Sequence, residues 1–204
     1  MNLFTKYKLH HLKHTLKTRN TKWNYIKIVD NGVVKVSKVP KTTFETQVIS
    51  YLVSYYNKVL GLDFSFDSEE NMLFSPFVNL SILAYFQTEK SLFKPTLKIL
   101  DKWLNTSNCC LNKLKSTNPI IDHFEVYCAD LHSSNFFRYK NEFYLLDLED
   151  FYFVMYDKGN NLLKMNDLRP QDQNRLIPYK DRLPLEIQVR YEDIKTLEYK
   201  YILI

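Results

Sequence analysis

Two carboxylates and one amide lie at close spacing in the stretch from Val126 to Asp150. Asp130 and Asn135 share the segment D-L-H-S-S-N. Asp147 ends the apolar run from Phe143 to Leu146, a pattern typical of a buried strand that delivers a polar group to a cleft. Carboxylate and amide oxygens are the ligands that magnesium prefers, and a further carboxylate can take the proton of a hydroxyl. This set of residues therefore favours transfer of a phosphoryl group from a magnesium-bound nucleotide to a hydroxyl.

The elements predicted around these residues are a strand, a polar loop and a hairpin. The apolar strand begins at Val126, the loop carries Asp130 and Asn135, and the hairpin turns at Tyr139-Lys140-Asn141-Glu142. Each residue taken alone also has a simpler interpretation, since Asp and Asn are favoured in turns and Asp147 then begins a loop. Their joint spacing in this setting favours the catalytic interpretation.

The spacing resembles the signature of the protein kinases, H-R-D-L-x-x-x-N followed by D-F-G. Asp130-Leu131 and Asn135 reproduce the D-L-x-x-x-N portion, and Asp147 stands where the metal-binding Asp of D-F-G would fall. The resemblance implies that Asp130 positions the acceptor hydroxyl and takes its proton, while Asn135 and Asp147 hold Mg²⁺. Two acids beyond the hairpin, Glu149 and Asp150, are second-choice metal or acceptor contacts, and their simpler interpretation as loop carboxylates is favoured.

Within the kinase-like phosphotransferases, the stretch is more similar to the small-molecule branch, which includes aminoglycoside, choline and bacterial lipopolysaccharide-core sugar kinases. Those families commonly write the loop as H-x-D-L-H-x-x-N, and His132 matches the second His. By the resemblance, His132 stabilises the loop or touches the γ-phosphate. The run Y-L-L-D-L-E-D is similar to the L-I-D-[FL]-D pattern of lipopolysaccharide kinases. Cys128 and Ser133-Ser134 depart from the His or Tyr and the Pro-Gly that are usual at these positions.

Upstream, the segment from Trp23 to Lys38 predicts a β-hairpin with its turn at Asp30-Asn31-Gly32. The return strand G-V-V-K-V-S-K resembles the kinase strand V-A-I-K, whose Lys pairs with the α and β phosphates of ATP. Period-two alternation places Val33 and Lys35 on one face, an apolar residue for the adenine beside a cation for the phosphates. Lys38, one strand face away, is the competing candidate.

The next predicted element is a helix that begins at Thr42 or Thr43. Its apolar face is marked at helical spacing by Phe44, Val48, Ile49 and Leu52. Glu45 lies in the first turn, and two interpretations of this acid stay open. By resemblance to the kinases it holds Lys35 in place; alternatively it is a carboxylate favoured at a helix start by the helix dipole.

The whole chain predicts an α+β fold, and the resemblance implies a minimal two-lobed, kinase-like domain over 1–204. Its parts are a basic segment over 1–22, a small β-rich lobe over 23–77 and a reduced, mostly helical lobe over 78–204. A further strand is predicted over 72–77, with a hinge at Ser75-Pro76, and further helices over 95–104, 119–124 and 185–197. The predicted connecting segments are a polar connection over 61–71, a polar break over 106–118 and a turn over 158–161, and residues 151–156 are predicted to belong to the core. The chain has no G-x-G-x-x-G loop and no A-P-E, so a full peptide-docking platform is not expected.

Composition and charge narrow the class of protein. With 45% hydrophobic and 25% charged residues among 204, the chain is typical of a soluble globular domain. Its three cysteines form no C-x-x-C pair and no apolar run has membrane-spanning length, so a cytoplasmic location is expected, with signal-independent secretion left open. Seven Lys or Arg residues and no acid precede Asp30, and a short amphipathic helix is predicted over 6–18. This segment suits an anionic surface, such as lipid, phosphorylated sugar or nucleic acid, or is a solvated helix face.

The favoured hypothesis is an ATP- and Mg²⁺-dependent phosphotransferase acting on a hydroxyl, for which the resemblance implies a lipopolysaccharide-type sugar. Its nearest alternative is a compact atypical protein kinase, such as an effector or viral enzyme. A second alternative is a pseudokinase that binds without catalysis, which the missing glycine loop and Cys128 favour. A nucleic-acid-binding protein acting through the basic segment ranks last, because it leaves the central motif without a role.

We predict that Asp130→Ala abolishes phosphoryl transfer while Mg·ATP binding is largely kept, because this carboxylate acts on the acceptor and not on the nucleotide. Asp147→Ala should instead weaken binding of the metal-bound nucleotide. ATP turnover and Mg·ATP affinity, measured for both variants, test the two roles. Equal losses of binding in the two variants would contradict the assignment.

Overall fold

The computed structural model describes residues 17–21, 24–38, 41–78, 89–128, 135–149, 151–164, 167–172 and 200–203. Helices and antiparallel strands both contribute to this part of the chain, so the expected α+β class is confirmed. The chain divides into two compact units, one of residues 1–41 and 49–79, the other of residues 42–48 and 80–204.

The first unit is built, in its described residues, on an antiparallel sheet of five strands. In chain order these are β1 Lys17–Asn20, β2 Asn24–Val29, β3 Gly32–Ser37, β4 Ser65–Asp67 and β5 Met72–Pro76. They lie side by side in the order β1-β2-β3-β5-β4. The predicted hairpin is therefore confirmed, with Asp30 and Asn31 connecting β2 to β3.

One face of this sheet carries a small apolar core, in which Val34 of β3 is fully buried. The other members of the cluster are Val29, Met72 and Phe74, with Val36 packed against them. Because side chains alternate along a strand, Val33 and Lys35 lie on the opposite face. Both are half-buried there.

The helix predicted after β3 is α1, Thr43–Leu60. The residues expected on its apolar face are all buried, namely Phe44, Val48, Ile49 and Leu52. Residues 43–48 belong to the second unit and residues 49–60 to the first. The helix ends at Leu60, and Gly61 then has a φ of +65°, the left-handed conformation that favours glycine at a helix end.

The described part of the second unit contains two complete helices, α2 Glu89–Leu104 and α3 Cys110–Thr117. Its strands are β6 His123–Cys128, β7 Phe136–Tyr139, β8 Glu142–Leu145, β9 Phe151–Tyr156, β10 Leu162–Leu163 and β11 Lys200–Leu203. Four of them form a sheet in the order β10-β9-β6-β11, and β7 and β8 form a separate hairpin. Among the helices that the structure describes, none has the length and apolar character needed to cross a membrane.

The extent of α2 differs from the expected range of 95–104. The helix begins at Glu89, so Pro95 lies inside it and not in its first turn, where proline is usual. Leu100 is fully buried, whereas Leu97 and Leu104 are only half-buried. The other buried apolar residues of the helix are Leu92, Phe93, Ile99 and Trp103.

Four predictions for short segments are wrong. The strand β4 lies in the expected connection over 61–71, and α3 lies in the expected break over 106–118. Residues 119–124, expected as a helix, form a turn that leads into β6. Lys17 and Thr18, expected at the end of a helix, belong to β1. Each segment is too short to carry a strong local pattern, so pairing or packing with distant segments decides its structure.

The mostly helical character expected over 78–204 is not found in the described part of the second unit, which contains six strands beside its helices. The segment 151–156, expected as core, is the strand β9 and pairs with β6 along its whole length. The turn expected over 158–161 is confirmed. The helix predicted over 185–197, and the helix over 6–18 apart from its last two residues, lie outside the described residues.

Gly32 begins β3 at a point where the backbone of β5 comes close. A Cβ here would clash with the Ser75 carbonyl oxygen and would lie 2.6 Å from Cε2 of the Phe74 ring. We predict that Gly32→Ala destabilises the protein by about 1–3 kcal/mol, because a strand backbone cannot move aside as a flexible side chain can. Urea unfolding measures this loss.

Gly159→Ala is the matched control, since its new Cβ would meet the flexible side chain of Asn161 at 2.8 Å. Its loss of stability should be clearly smaller. Equal losses in the two variants would contradict the close approach of β5 to Gly32.

Candidate functional site

The hairpin β7–β8 brings Asn135 and Asp147 to the same end of one element. Phe136 pairs with Leu145 in the strand register. The pairing continues one step further, where the Leu146 N–H donates to the Asn135 carbonyl at 2.6 Å. Asn135 therefore precedes β7 at the open end of the hairpin, and Asp147 directly follows the bonded Leu146.

The other end of the hairpin is closed by Lys140 and Asn141. Lys140 has a φ of +55°, in the left-handed region that tight two-residue hairpin turns use. The predicted turn is therefore confirmed. Near the open end, the buried ring of Phe136 meets that of Phe93 of α2 edge-on, with the centroids 6.4 Å apart. The hairpin is thus packed against α2 close to the candidate site.

The chain after β8 carries two acids into a buried setting. Asp147 is half-buried, and its Oδ1 atom is out of contact with solvent. Leu148 is fully buried, and Glu149 is only 4% exposed. Both acids take part in further interactions within the protein. Because a buried charge is weakly screened, these carboxylates would act strongly on a nearby cation.

Asn135 and Asp147 supply the hard oxygen ligands that suit Mg²⁺, which commonly takes one or two carboxylates together with phosphate oxygens and water. Among the described residues, no group of three or more His, Cys, Asp or Glu side chains is arranged to hold a metal ion. The candidate set is of a different kind, one amide and one carboxylate. Its burial makes Glu149 a stronger candidate for the site than the sequence indicated. In the sequence, the only signal for this residue is its position near Asp147.

Asp130 and His132 lie outside the described residues, and so does Asp150. The chain that leads to them is β6, which lies between β9 and β11 in the sheet. Its last residue, Cys128, is buried. The loop with Asp130 therefore follows an interior strand, and the roles of Asp130 and His132 stay predictions.

In the first unit, Lys35 lies in the middle of β3, flanked by β2 and β5 and on the same face as Val33. The competing Lys38 is exposed and donates a hydrogen bond to the Thr21 carbonyl. Its Nζ also lies 4.7 Å from the centroid of the Tyr25 ring, in cation–π range. Lys38 thus contacts β2 and the residue that follows β1. Lys35 likewise takes part in an interaction within the protein, so the choice between the two lysines stays a prediction.

Glu45 forms a capping box with Thr42 at the start of α1. The Thr42 N–H and hydroxyl donate to Oε2 of Glu45 at 2.7 and 2.8 Å, and the Glu45 N–H donates to the Thr42 hydroxyl at 3.2 Å. Both residues are buried. These contacts satisfy backbone groups that a helix start otherwise leaves without partners. They support the helix-start interpretation of Glu45, and its pairing with Lys35 stays a prediction.

The thiols of Cys109, which directly precedes α3, and of Cys110, its first residue, have shifted pKa values. A hydrogen bond between them lowers the pKa of Cys109 to about 7 and raises the pKa of Cys110. Cys109 is buried, and the Cys110 N–H donates to Oε1 of Gln47 at 2.9 Å. All three cysteines are unbridged.

The structure thus brings together two of the predicted site residues, Asn135 and Asp147, at one end of a hairpin. Val33 and Lys35 share a face of the sheet in the other unit. In comparisons with known proteins, no family model matches the chain and no curated protein matches it.

Two substitutions at Glu45 distinguish the contribution of its capping hydrogen bonds to stability from the contribution of its negative charge. We predict that Glu45→Gln changes the free energy of unfolding by less than about 0.5 kcal/mol, because Gln also serves in a capping box. Glu45→Ala should lose about 1 kcal/mol, the typical value of a helix cap. Urea unfolding of both variants measures the difference. A loss from Gln as large as that from Ala would show that the charge of Glu45, and not its cap, stabilises the helix start.

Proposed function

We propose that this protein is an ATP- and Mg²⁺-dependent phosphotransferase that moves the γ-phosphate to a hydroxyl. The observation that supports this best is the hydrogen bond from the Leu146 N–H to the Asn135 carbonyl, at 2.6 Å. It holds the two members of the predicted metal pair, Asn135 and Asp147, at one end of the hairpin. In protein kinases the Asn of the catalytic loop and the Asp of D-F-G bind the Mg²⁺ ions that bridge the phosphates.

The first unit offers separate support. Lys35 lies on the third strand of an antiparallel sheet, and α1 is the next element of the chain. Protein kinases carry their phosphate-binding Lys on the third strand, before the helix whose Glu pairs with it. We therefore propose a two-lobed, kinase-like architecture with the sheet β1–β5 in the small lobe. Val33, on the same face as Lys35, would contact the adenine.

In the proposed reaction, the acceptor oxygen forms a bond to the γ-phosphorus, and the bond from that phosphorus to the β,γ-bridging oxygen breaks. ADP leaves with the electron pair of the broken bond. Asp130 accepts the proton of the acceptor hydroxyl, so that the attacking oxygen carries no excess proton into the product. Asn135 and Asp147 would hold Mg²⁺, whose charge offsets that of the phosphate oxygens. Lys35 would bind the α and β phosphates.

As acceptor we propose a sugar hydroxyl of the lipopolysaccharide-core type. The support is the run Y-L-L-D-L-E-D, from Tyr144 to Asp150, which resembles the corresponding run of lipopolysaccharide kinases. The basic residues that precede Asp30 suit the same partner, since a phosphorylated sugar surface is anionic.

We predict that Mg·ATP raises the melting temperature of the wild-type protein, because a ligand that binds only the folded state stabilises it by mass action. At a nucleotide concentration about 100 times Kd the gain is about 2.7 kcal/mol, which corresponds to roughly 5–10 °C for a chain of this size. Asp147→Asn should lose most of this shift, whereas Asp101→Asn, an exposed acid on α2, should keep it. A wild-type protein without any shift, or a full shift in Asp147→Asn, would contradict the proposal.

Transfer is measured separately, with γ-labelled ATP and a panel of sugars beside whole-lysate proteins. Label on the sugars supports the proposed acceptor, and label on protein alone would identify a compact protein kinase instead. Nucleotide binding without transfer to any acceptor would identify a pseudokinase.

A further inference from the structure

The N–H of Leu145 points out of the hairpin. Hydrogen-bonded and non-bonded pairs alternate along antiparallel strands, and the pair next to it is bonded through the Leu146 N–H and the Asn135 carbonyl. Leu145 and Phe136 are therefore a non-bonded pair, and β7 offers no acceptor to the Leu145 N–H. Leu145 is only 1% exposed, so water cannot supply an acceptor either. A buried backbone donor of this kind requires a partner elsewhere.

That partner is Thr96 of α2. Its Oγ1 accepts a hydrogen bond from the Leu145 N–H at 3.2 Å, and the residue is fully buried. Thr96 lies three positions after Phe93, whose ring meets that of Phe136, so both contacts come from the same face of the helix. The open end of the hairpin is therefore held on α2 by one apolar contact and one hydrogen bond.

We propose that Thr96 is a positioning residue, which sets where Asp147 lies relative to α2; its catalytic meaning rests on the proposed function. The successive N–H groups of Leu145 and Leu146 are bound from opposite sides, the first by Thr96 and the second by Asn135. Asp147 is the next residue. Its backbone therefore directly follows two residues whose N–H groups are fixed by hydrogen bonds on opposite sides. Without the Thr96 hydroxyl, the hairpin loses its polar link to the helix, and the adjoining bond between the Leu146 N–H and the Asn135 carbonyl opens more readily.

Substitutions at Thr96 remove or keep the acceptor while changing little else. Thr96→Val removes the acceptor with the shape of the side chain retained, and Thr96→Ser keeps it. Should Thr96→Val not fold, the smaller Thr96→Ala takes its place. The matched control is Thr106→Val, just beyond the same helix, where the hydroxyl donates to the Trp103 carbonyl at 2.7 Å.

Native-state hydrogen exchange of the full-length protein tests the positioning without any nucleotide. In Thr96→Val we expect the Leu146 amide to exchange about tenfold faster relative to the Tyr144 amide, because local opening is eased next to the lost contact. In Thr96→Ser and Thr106→Val the ratio of the two rates should stay at the wild-type value. An unchanged ratio in Thr96→Val overturns the proposal.

The Mg²⁺ dependence of nucleotide binding then tests whether the positioning of Asp147 by Thr96 matters for the proposed function. In Thr96→Val we expect the half-saturating Mg²⁺ concentration to rise about 10–100-fold, the range for residues that orient metal ligands, with recovery in Thr96→Ser. A wild-type protein that binds no Mg·ATP would remove the proposed function, and the exchange rates alone would decide the positioning. Unchanged Mg²⁺ dependence in Thr96→Val, with wild-type binding intact, would overturn the positioning and leave the function standing.

Discussion

The pairing of Leu146 with Asn135 is the contact on which the candidate site depends. Because side chains alternate along a strand, a slip of one residue between β7 and β8 would turn the buried side chains outward and carry Asp147 away from Asn135. The tight turn at Lys140-Asn141 opposes that slip, since a two-residue loop determines the register. Burial of the Phe136 ring against α2 opposes it at the open end. The geometry of the site is therefore a consequence of the register of one hairpin.

The first unit is organised in a similar way. Asp30 and Asn31 close the hairpin β2–β3 in two residues, and the resulting register puts Val34 into the apolar cluster and Lys35 on the other face. Gly32 then allows β5 to approach β3 closely. Two local features are enough to place the cation of Lys35 on this face, namely the alternation of side chains along β3 and the short turn before it. A hairpin formed by neighbouring residues thus places the candidate phosphate-binding cation in one unit, and a second hairpin places the two candidate metal ligands in the other.

These parts of the structure could be predicted because their signals are local. Both hairpins combine a tight turn with alternating apolar residues, and α1 combines a cap with apolar residues at helical spacing. The strand β11 could not be predicted, because its partner is β6, far earlier in the chain. The helix α3 buries only Leu111 and Leu114, too few residues to form a periodic pattern. Pro95 indicated a helix start, whereas α2 begins at Glu89 and buries Leu92 and Phe93, which precede the proline. The burial of Glu149 likewise depends on packing from outside its own segment.

The acids that follow the hairpin at its open end, Asp147 and Glu149, are at least partly removed from water, which is unfavourable for a charged carboxylate. Glu149 is buried and Asp147 half-buried, and moving a carboxylate out of water is unfavourable unless donors or cations compensate. Such groups concentrate at functional sites, because a low dielectric strengthens their action on a bound ligand. In the same unit, the ring of Phe93 contacts those of Phe136 and Phe151, with centroids 6.4 Å apart in each pair. The burial of Glu149 is therefore also what would make its carboxylate effective towards a bound cation.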